Sequence, residues 1–146
     1  MEADILVLQH LLRRVELLVL SVATACYSQV VDLSRLRAVK VEPEKRLAFA
    51  QGGALWSDFD EATIAHGLVS VGGTVSHTGI GGLIVGGGYG YLTGQYGLSI
   101  DCLIGATVIV ADGRIVKANE SENPDLFWAI RGRPTMTITD FLRWRV

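Results

Sequence analysis

From Val71 to Gly97 the chain reads VGGTVSHTGIGGLIVGGGYGYLTGQYG, and no other stretch limits its possible structures so strongly. Glycine stands at positions 72, 73, 79, 81, 82, 86, 87, 88, 90, 94 and 97, and between these lie Ile80, Leu83, Ile84, Val85, Tyr89 and Tyr91. A flexible linker would carry serine where this run carries isoleucine and tyrosine. Glycine at such density inside an apolar segment means that backbone approaches something closely. Each missing β-carbon bares amide N–H groups, and successive amides turned one way form a concavity suited to a phosphate. A second reading stays open from spacing alone: the glycines serve tight turns and close packing.

Known phosphate-binding signatures narrow the first reading. Gly79-Ile80-Gly81-Gly82 lacks the third glycine of GxGxxG, and GxxxxGK[ST] is absent, so a P-loop nucleotidase is not expected. No GxSxG elbow is present. Cys26 and Cys102 show no CxxC pairing, and His10, His66 and His77 have no metal-ligand spacing, so no metal site is expected. His77, between Ser76 and Thr78, reads either as a loop residue hydrogen-bonded locally or as one facing a ligand. Glycine clusters do not recur at a fixed period, which argues against a glycine-rich structural protein.

The rest of the composition sets the class. At 146 residues, 49% hydrophobic and 19% charged, the chain suits one domain able to bury a core. A net charge of -2, with the Lys and Arg scattered, gives no basic face, so nucleic acid is not expected as a partner. Near the N-terminus, Leu8, Leu11, Leu12, Val15 and Leu18 form a helical stripe. Arg13 and Arg14 before the apolar run Leu17–Val22, with Ala23-Thr24-Ala25 after it, also mimic a weak secretory signal, against which Glu2, Asp4 and Glu16 count. The run falls short of the roughly 20 residues that span a bilayer, so no membrane partner is expected. Localisation stays open. Asn119-Glu120-Ser121 is a glycosylation sequon that matters for a secreted chain.

Local patterns predict mixed elements. Val31–Leu33 reads as a short strand, and Ala38–Val41 and Leu47–Ala50 as two more around the polar turn Glu42-Pro43-Glu44-Lys45. Ser57 is expected to cap a helix over Asp58–His66, with Asp60 supporting its start, Phe59 and Ala62 turned inward and Gly67 ending it. Val108–Ala111 and Arg114–Lys117 around Asp112-Gly113 predict a hairpin with a type I′ turn. Asn123-Pro124-Asp125 opens a last helix closed by Arg131 and Gly132, with Trp128 over the sheet edge. Thr135–Val146 shows no amphipathic period and is expected to fray, leaving Phe141, Leu142 and Trp144 exposed.

Two long segments together carry a family resemblance. VDLSRLRAVKVEPEKRLAFAQGGALWSDFDEATIAHGL (Val31 to Leu68) and GGTVSHTGIGGLIVGGGYGYLTGQYGLSIDCLIGATVIVADGRIVKANESENPDLFWAIRG (Gly72 to Gly132) resemble the FAD-binding domain of the p-cresol methylhydroxylase (PCMH) and vanillyl-alcohol oxidase superfamily, in its berberine-bridge-like branch. The resemblance implies an α+β fold: part of a PCMH-type domain of two α+β subdomains, incomplete at both ends. It implies FAD as cofactor and, in a full-length relative, a small-molecule alcohol, sugar or amine substrate oxidised by hydride transfer to flavin N5. Carried over residue by residue, Thr78, Gly79, Gly81 and Gly82 fall in the loop along the diphosphate and ribityl chain. Asp101, Ile109 and Val110 fall where the family's chain passes the cofactor again, and the last two fit buried strand core equally.

Departures from the family pattern divide the chain into a divergent segment 1–30, a partial FAD-binding domain 31–132 and a divergent tail 133–146. Where the family carries a GGHS-type loop with its covalent flavin histidine, this chain has Leu17-Leu18-Val19-Leu20-Ser21-Val22-Ala23-Thr24. Val75 stands where some relatives have a second anchoring cysteine. No covalent bond to the flavin is therefore expected, and FAD retention is expected to be weak or absent. After Arg131 the family's glycine-rich run is replaced by Arg133-Pro134-Thr135-Met136. The catalytic base comes from a later substrate domain in the family, so no catalytic residue is assigned. The alternative expectation is a truncated, inactive remnant acting as a binding or interaction module.

Overall fold

The computed structural model describes residues 32–110, 112–132 and 138–146. Strand β1 (Val39–Glu42) pairs antiparallel with β2 (Leu47–Gln51), Val39 opposite Ala50 and Glu42 opposite Leu47. The chain reverses through a 3-10 turn at Pro43–Lys45, and Arg46 in a left-handed conformation (φ 52°) returns it to β2. Proline presets the turn's first φ and removes a donor that would have no partner there. Helix α1 (Trp56–Ile64) follows, then the short helices α2 (Ile80–Val85) and α3 (Thr93–Tyr96) and a 3-10 turn at Ser99–Cys102. Strand β3 (Leu103–Ile109), β4 (Ile115–Ala118), helix α4 (Pro124–Ile130) and β5 (Ile138–Arg145) complete the α+β fold. All neighbours in the sheet are antiparallel, in the order β1-β2-β5-β3-β4.

The core lies between the sheet and the helices. Trp56 and Phe59 from α1 meet Trp144 from β5 in an edge-on trio, with ring centroids 5.5, 6.3 and 5.4 Å apart, and all three are fully buried. Edge-to-face pairs at this spacing add about 0.5–1.5 kcal/mol each beyond their area burial. Trp144 stands in register with Ala48 on β2 and Leu103 on β3, so the small Ala48 leaves room for the indole. Ile80, Ile84, Phe127 and Ile130 close the same core from α2 and α4.

Several local expectations move. Val31 lies outside the described residues, and Asp32 and Leu33 form a turn rather than a strand, because Asp32 accepts the Ser34 N–H at 2.8 Å. Helix α1 starts two residues before the expected Asp58, which lets Trp56 enter the core. Asp58, not Ser57 or Asp60, then caps it by accepting the Leu55 N–H at 2.8 Å. Phe59 points inward as expected, Ala62 is half-buried, and Gly67 is left-handed (φ 66°). The β3–β4 hairpin forms, but Val110 N–H donates to the Arg114 carbonyl, leaving a three-residue loop in place of a type I′ turn. Gly113 alone there has positive φ (83°) among the described residues, as a three-residue loop with its left-handed glycine requires.

The largest correction concerns the tail. Ile138–Arg145 does not fray: it is the central strand, holding β2 on one side and β3 on the other. Its described side chains alternate, Arg143 and Arg145 exposed and Trp144 buried, as in a strand with one face on the core. Trp128, expected over the sheet edge, is 75% exposed. The N-terminal stripe and signal-like run lie outside the described residues.

Candidate functional site

The glycine-rich run folds around the N-terminus of α1. Trp56 and Ser57 donate their backbone N–H groups to the carbonyls of Thr78 (3.1 Å) and Ser76 (2.8 Å), and Ile80 donates to Ala54 (2.9 Å). A bridge between Leu55 and Gly79 completes the tie. Sequence dictates the helix that follows: Ile80 and Ile84, four residues apart, are buried on one face and pull α2 onto the core. That leaves Gly79 and Gly82 on the outer face.

The amides of this loop divide into two sets. Thr78 N–H is spent on Val75 (3.1 Å) and Ile80 N–H on Ala54. Gly81 and Gly82 occupy the first turn of α2, where backbone N–H groups have no acceptor within the helix. No acidic residue lies in that turn, so the positive end of the helix is left uncompensated. A β-carbon at Gly79 or Gly82 would meet no atom within 4 Å. Open space therefore faces bare amides, the arrangement that a phosphate-bearing ligand needs. The Thr78 hydroxyl makes no hydrogen bond among the described residues.

The other expected positions lie along the fold in sequence. At the far end of α2, Ser99 and Ile100 donate N–H groups to the Gly88 and Gly87 carbonyls (2.9 Å each). The turn bearing Asp101 is thus one short helix away, about 9 Å at 1.5 Å per residue. Asp101 Oδ2 accepts the Leu98 N–H at 2.8 Å, and Oδ1 lies 3.8 Å from Arg131. Its carboxylate also lines a cavity of about 530 Å³ with Arg46, Tyr96, Cys102 and Arg145. Ile109 ends β3 and Val110 follows it directly. Ile109 is buried and stands opposite Ile115 in the hairpin, and Val110 is half-buried. Thr78, Gly79, Gly81 and Gly82 lie together at the start of α2, Asp101 lies in the turn before β3, and Ile109 and Val110 lie at that strand's far end.

Sequence reading missed the arginines of the cavity. Arg46 and Arg145 meet there because β2 and β5 are neighbours, and Val146 N–H donates to the Arg46 carbonyl at 3.1 Å. No local pattern links positions a hundred residues apart. It missed Asp58 as well: Arg37 grips it through two hydrogen bonds (2.6 and 2.9 Å) beside the loop's anchor on α1. That guanidinium holds the Asp58 carboxyl below the usual carboxylate range, and the Leu55 amide adds to the effect. Among the described residues there is no group of three metal-ligating side chains, and no helix is long and apolar enough to cross a membrane.

A family model described as an FAD binding domain matches residues 20–119. The FAD-linked oxidoreductase pgmH of Aspergillus terreus is 45% identical over 125 residues, 85% of this chain and 25% of that protein. The glucooligosaccharide oxidase of Sarocladium strictum is 42% identical over 110 residues, 70% of this chain and 21% of that protein. The crystal structure of 6-hydroxy-D-nicotine oxidase from Arthrobacter nicotinovorans superposes with a TM-score of 0.77 at 32% identity, covering 80% of this chain and 26% of that one. The structure of glucooligosaccharide oxidase from Acremonium strictum, described with a 6-S-cysteinyl, 8α-N1-histidyl FAD, gives 0.72 at 38% identity, with 77% and 24% covered. The chain spans about a quarter of the length of these relatives.

Proposed function

The chain belongs to the FAD binding domain family, and from that premise we propose that it forms the FAD-binding portion of an FAD-linked oxidase, with the cofactor's diphosphate held by the loop from Thr78 to Gly82. The observation that carries this reading is the open space before Gly79 and Gly82 beside the first-turn amides of α2. Gly81 and Gly82 supply N–H donors to phosphate oxygens, Gly79 admits the ligand by having no side chain, and Thr78 offers its hydroxyl. Asp101 accepts from a sugar or ribityl hydroxyl farther along an extended cofactor, and Ile109 and Val110 line its passage along β3. FAD held by these residues would supply the hydride acceptor for oxidation of an alcohol, sugar or amine substrate. The residues named here hold and orient; none is assigned proton transfer.

A second reading, an inactive remnant that serves at most as a binding module, is favoured by Leu17–Thr24, which has neither glycine nor histidine for the family's covalent anchor. Titration with FAD separates the proposals. Saturable quenching of flavin fluorescence, with the cofactor released into the supernatant on acid precipitation, is the expected result. Flavin bleaching by an oligosaccharide or alcohol under anaerobic conditions would exclude the remnant. No saturable binding at all would overturn the assignment of the loop.

A further inference from the structure

The loop between β4 and α4 carries Asn119-Glu120-Ser121, an N-glycan acceptor sequence that the flavin site does not use. Asn119 Oδ1 accepts three hydrogen bonds, from the Ser121 N–H (2.8 Å), the Ser121 hydroxyl (2.8 Å) and the Glu122 N–H (2.9 Å). Backbone N–H groups only donate, so these partners decide which end of the carboxamide is oxygen. The carboxamide nitrogen makes no hydrogen bond among the described residues. Asn123, four residues on, is the contrast: its Nδ2 is spent on the Lys117 carbonyl at 2.7 Å, and it begins no acceptor sequence. Asn119 is half-buried, and Glu120, Ser121 and Glu122 beside it are all exposed.

The position in the sheet suggests what a glycan there does. Among the described residues β4 is an outer strand, with β3 on one side and no strand on the other, and its Ile115 is 41% exposed. Open edges of this kind pair with other chains unless something bulky or charged stands over them. Asn119 follows the last residue of β4 directly.

We propose that Asn119 is an N-glycan acceptor and that its glycan stands over the free edge of β4. In the transfer, Asn119 Nδ2 attacks C1 of an oligosaccharide carried on a polyprenyl diphosphate. The C1–N bond forms, the C1–O bond to the diphosphate breaks, Nδ2 loses one proton, and the polyprenyl diphosphate leaves with the bonding pair. No electron is gained or lost by the protein.

The test expresses the full 146-residue chain behind a cleavable secretory leader in yeast. Protein from both medium and membranes is digested and treated with peptide N-glycosidase in heavy-oxygen water. Aspartate bearing heavy oxygen at position 119 is the expected result, retained in Ser121→Thr and lost in Ser121→Ala and Asn119→Gln. Asn119 recovered unmodified from membrane-inserted or secreted protein would overturn the site, and this mapping uses the wild-type chain, so it stands even where a variant fails to fold. For the edge, glycosylated and enzymatically stripped protein are compared by light scattering at equal concentration. Greater association of the stripped form is expected, and equal association would overturn the shielding role.

Discussion

Gly90 packs so closely on Gly72 that a β-carbon on Gly90 would stand 1.7 Å from the Gly72 carbonyl oxygen. The contact joins the two ends of the glycine-rich run and folds the segment between them into one compact unit. Backbone cannot yield as a flexible side chain can. We therefore expect Gly90→Ala to destabilise the fold by about 1–3 kcal/mol, the usual cost of overpacking, or more. Gly94, where a β-carbon would meet nothing within 4 Å, is the control. Gly94→Ala is expected to leave stability unchanged or raise it by up to about 1 kcal/mol, the helix preference for alanine. Urea midpoints of the two variants check this; equal losses would refute the close-approach argument.

Gly79 and Gly82 should behave in the opposite way. Alanine fits the fold at both, since nothing lies within 4 Å and Gly79 already has φ −67°. The new methyl groups would occupy the space proposed for the cofactor. Thermal midpoints at or above the wild-type value, with FAD affinity about tenfold weaker or 1.4 kcal/mol, are expected. Unchanged affinity in a stable double variant would place the diphosphate elsewhere.

Asp58 makes stability depend on acid. Its folded-state pKa is depressed, first by the Arg37 hydrogen bond and then by the Leu55 amide, so its contribution is present above the unfolded carboxylate pKa and is lost as pH falls through the lower folded value. Asp58→Ala should cost about 0.5–2 kcal/mol at pH 7, as loss of a helix cap does. The gap between variant and wild type should close on acidification below the carboxylate range. A gap that persists at the lowest pH where both remain folded would mean that the charge is not its source.

Asp60, two residues along α1, has the reverse sign. Burial pushes its carboxyl up, so the charged form weighs against folding above its folded pKa and the penalty vanishes at low pH. Asp60→Asn is expected to raise the denaturation midpoint at pH 7 and to match wild type in acid. A lower midpoint at pH 7 would contradict it.

Trp144 ties the C-terminal strand to the core. Trp144→Ala is expected to cost about 3–5 kcal/mol, the range for removing a buried aromatic side chain. A chain ending at Gly132 lacks β5 altogether, which leaves β1-β2 and β3-β4 as separate hairpins. Isolated hairpins are at best marginally stable in water. Loss of cooperative unfolding in far-UV circular dichroism is the expected outcome, and a retained sigmoidal transition would show that β5 is dispensable.

Much of this was legible from neighbouring residues. Asp112-Gly113 between apolar strands announced the hairpin, Asn123-Pro124-Asp125 announced α4, and Gly67 announced the end of α1, because each depends on φ preferences and partners within a few positions. The loop Thr78–Gly82 was legible from its glycines and from the long ordered likeness to flavoproteins. Asp58 as the cap was not, because the start of α1 depends on where Trp56 must lie against Trp144, far away in the chain. The three-residue loop at Gly113 was likewise set by the register of β3 on β4.

Residue order was enough, then, to establish the glycine-rich segment and the mixed helix and strand content. Those follow from side-chain chemistry and backbone preference, which act over a turn or two. The place of Ile138–Arg145 at the centre of the sheet, the meeting of Arg46 with Arg145 and the contact of Gly90 with Gly72 emerged only from the assembled fold. Strand pairing and close packing join residues by shared hydrogen bonds and excluded volume, and neither leaves a signature at the separate positions that it brings together.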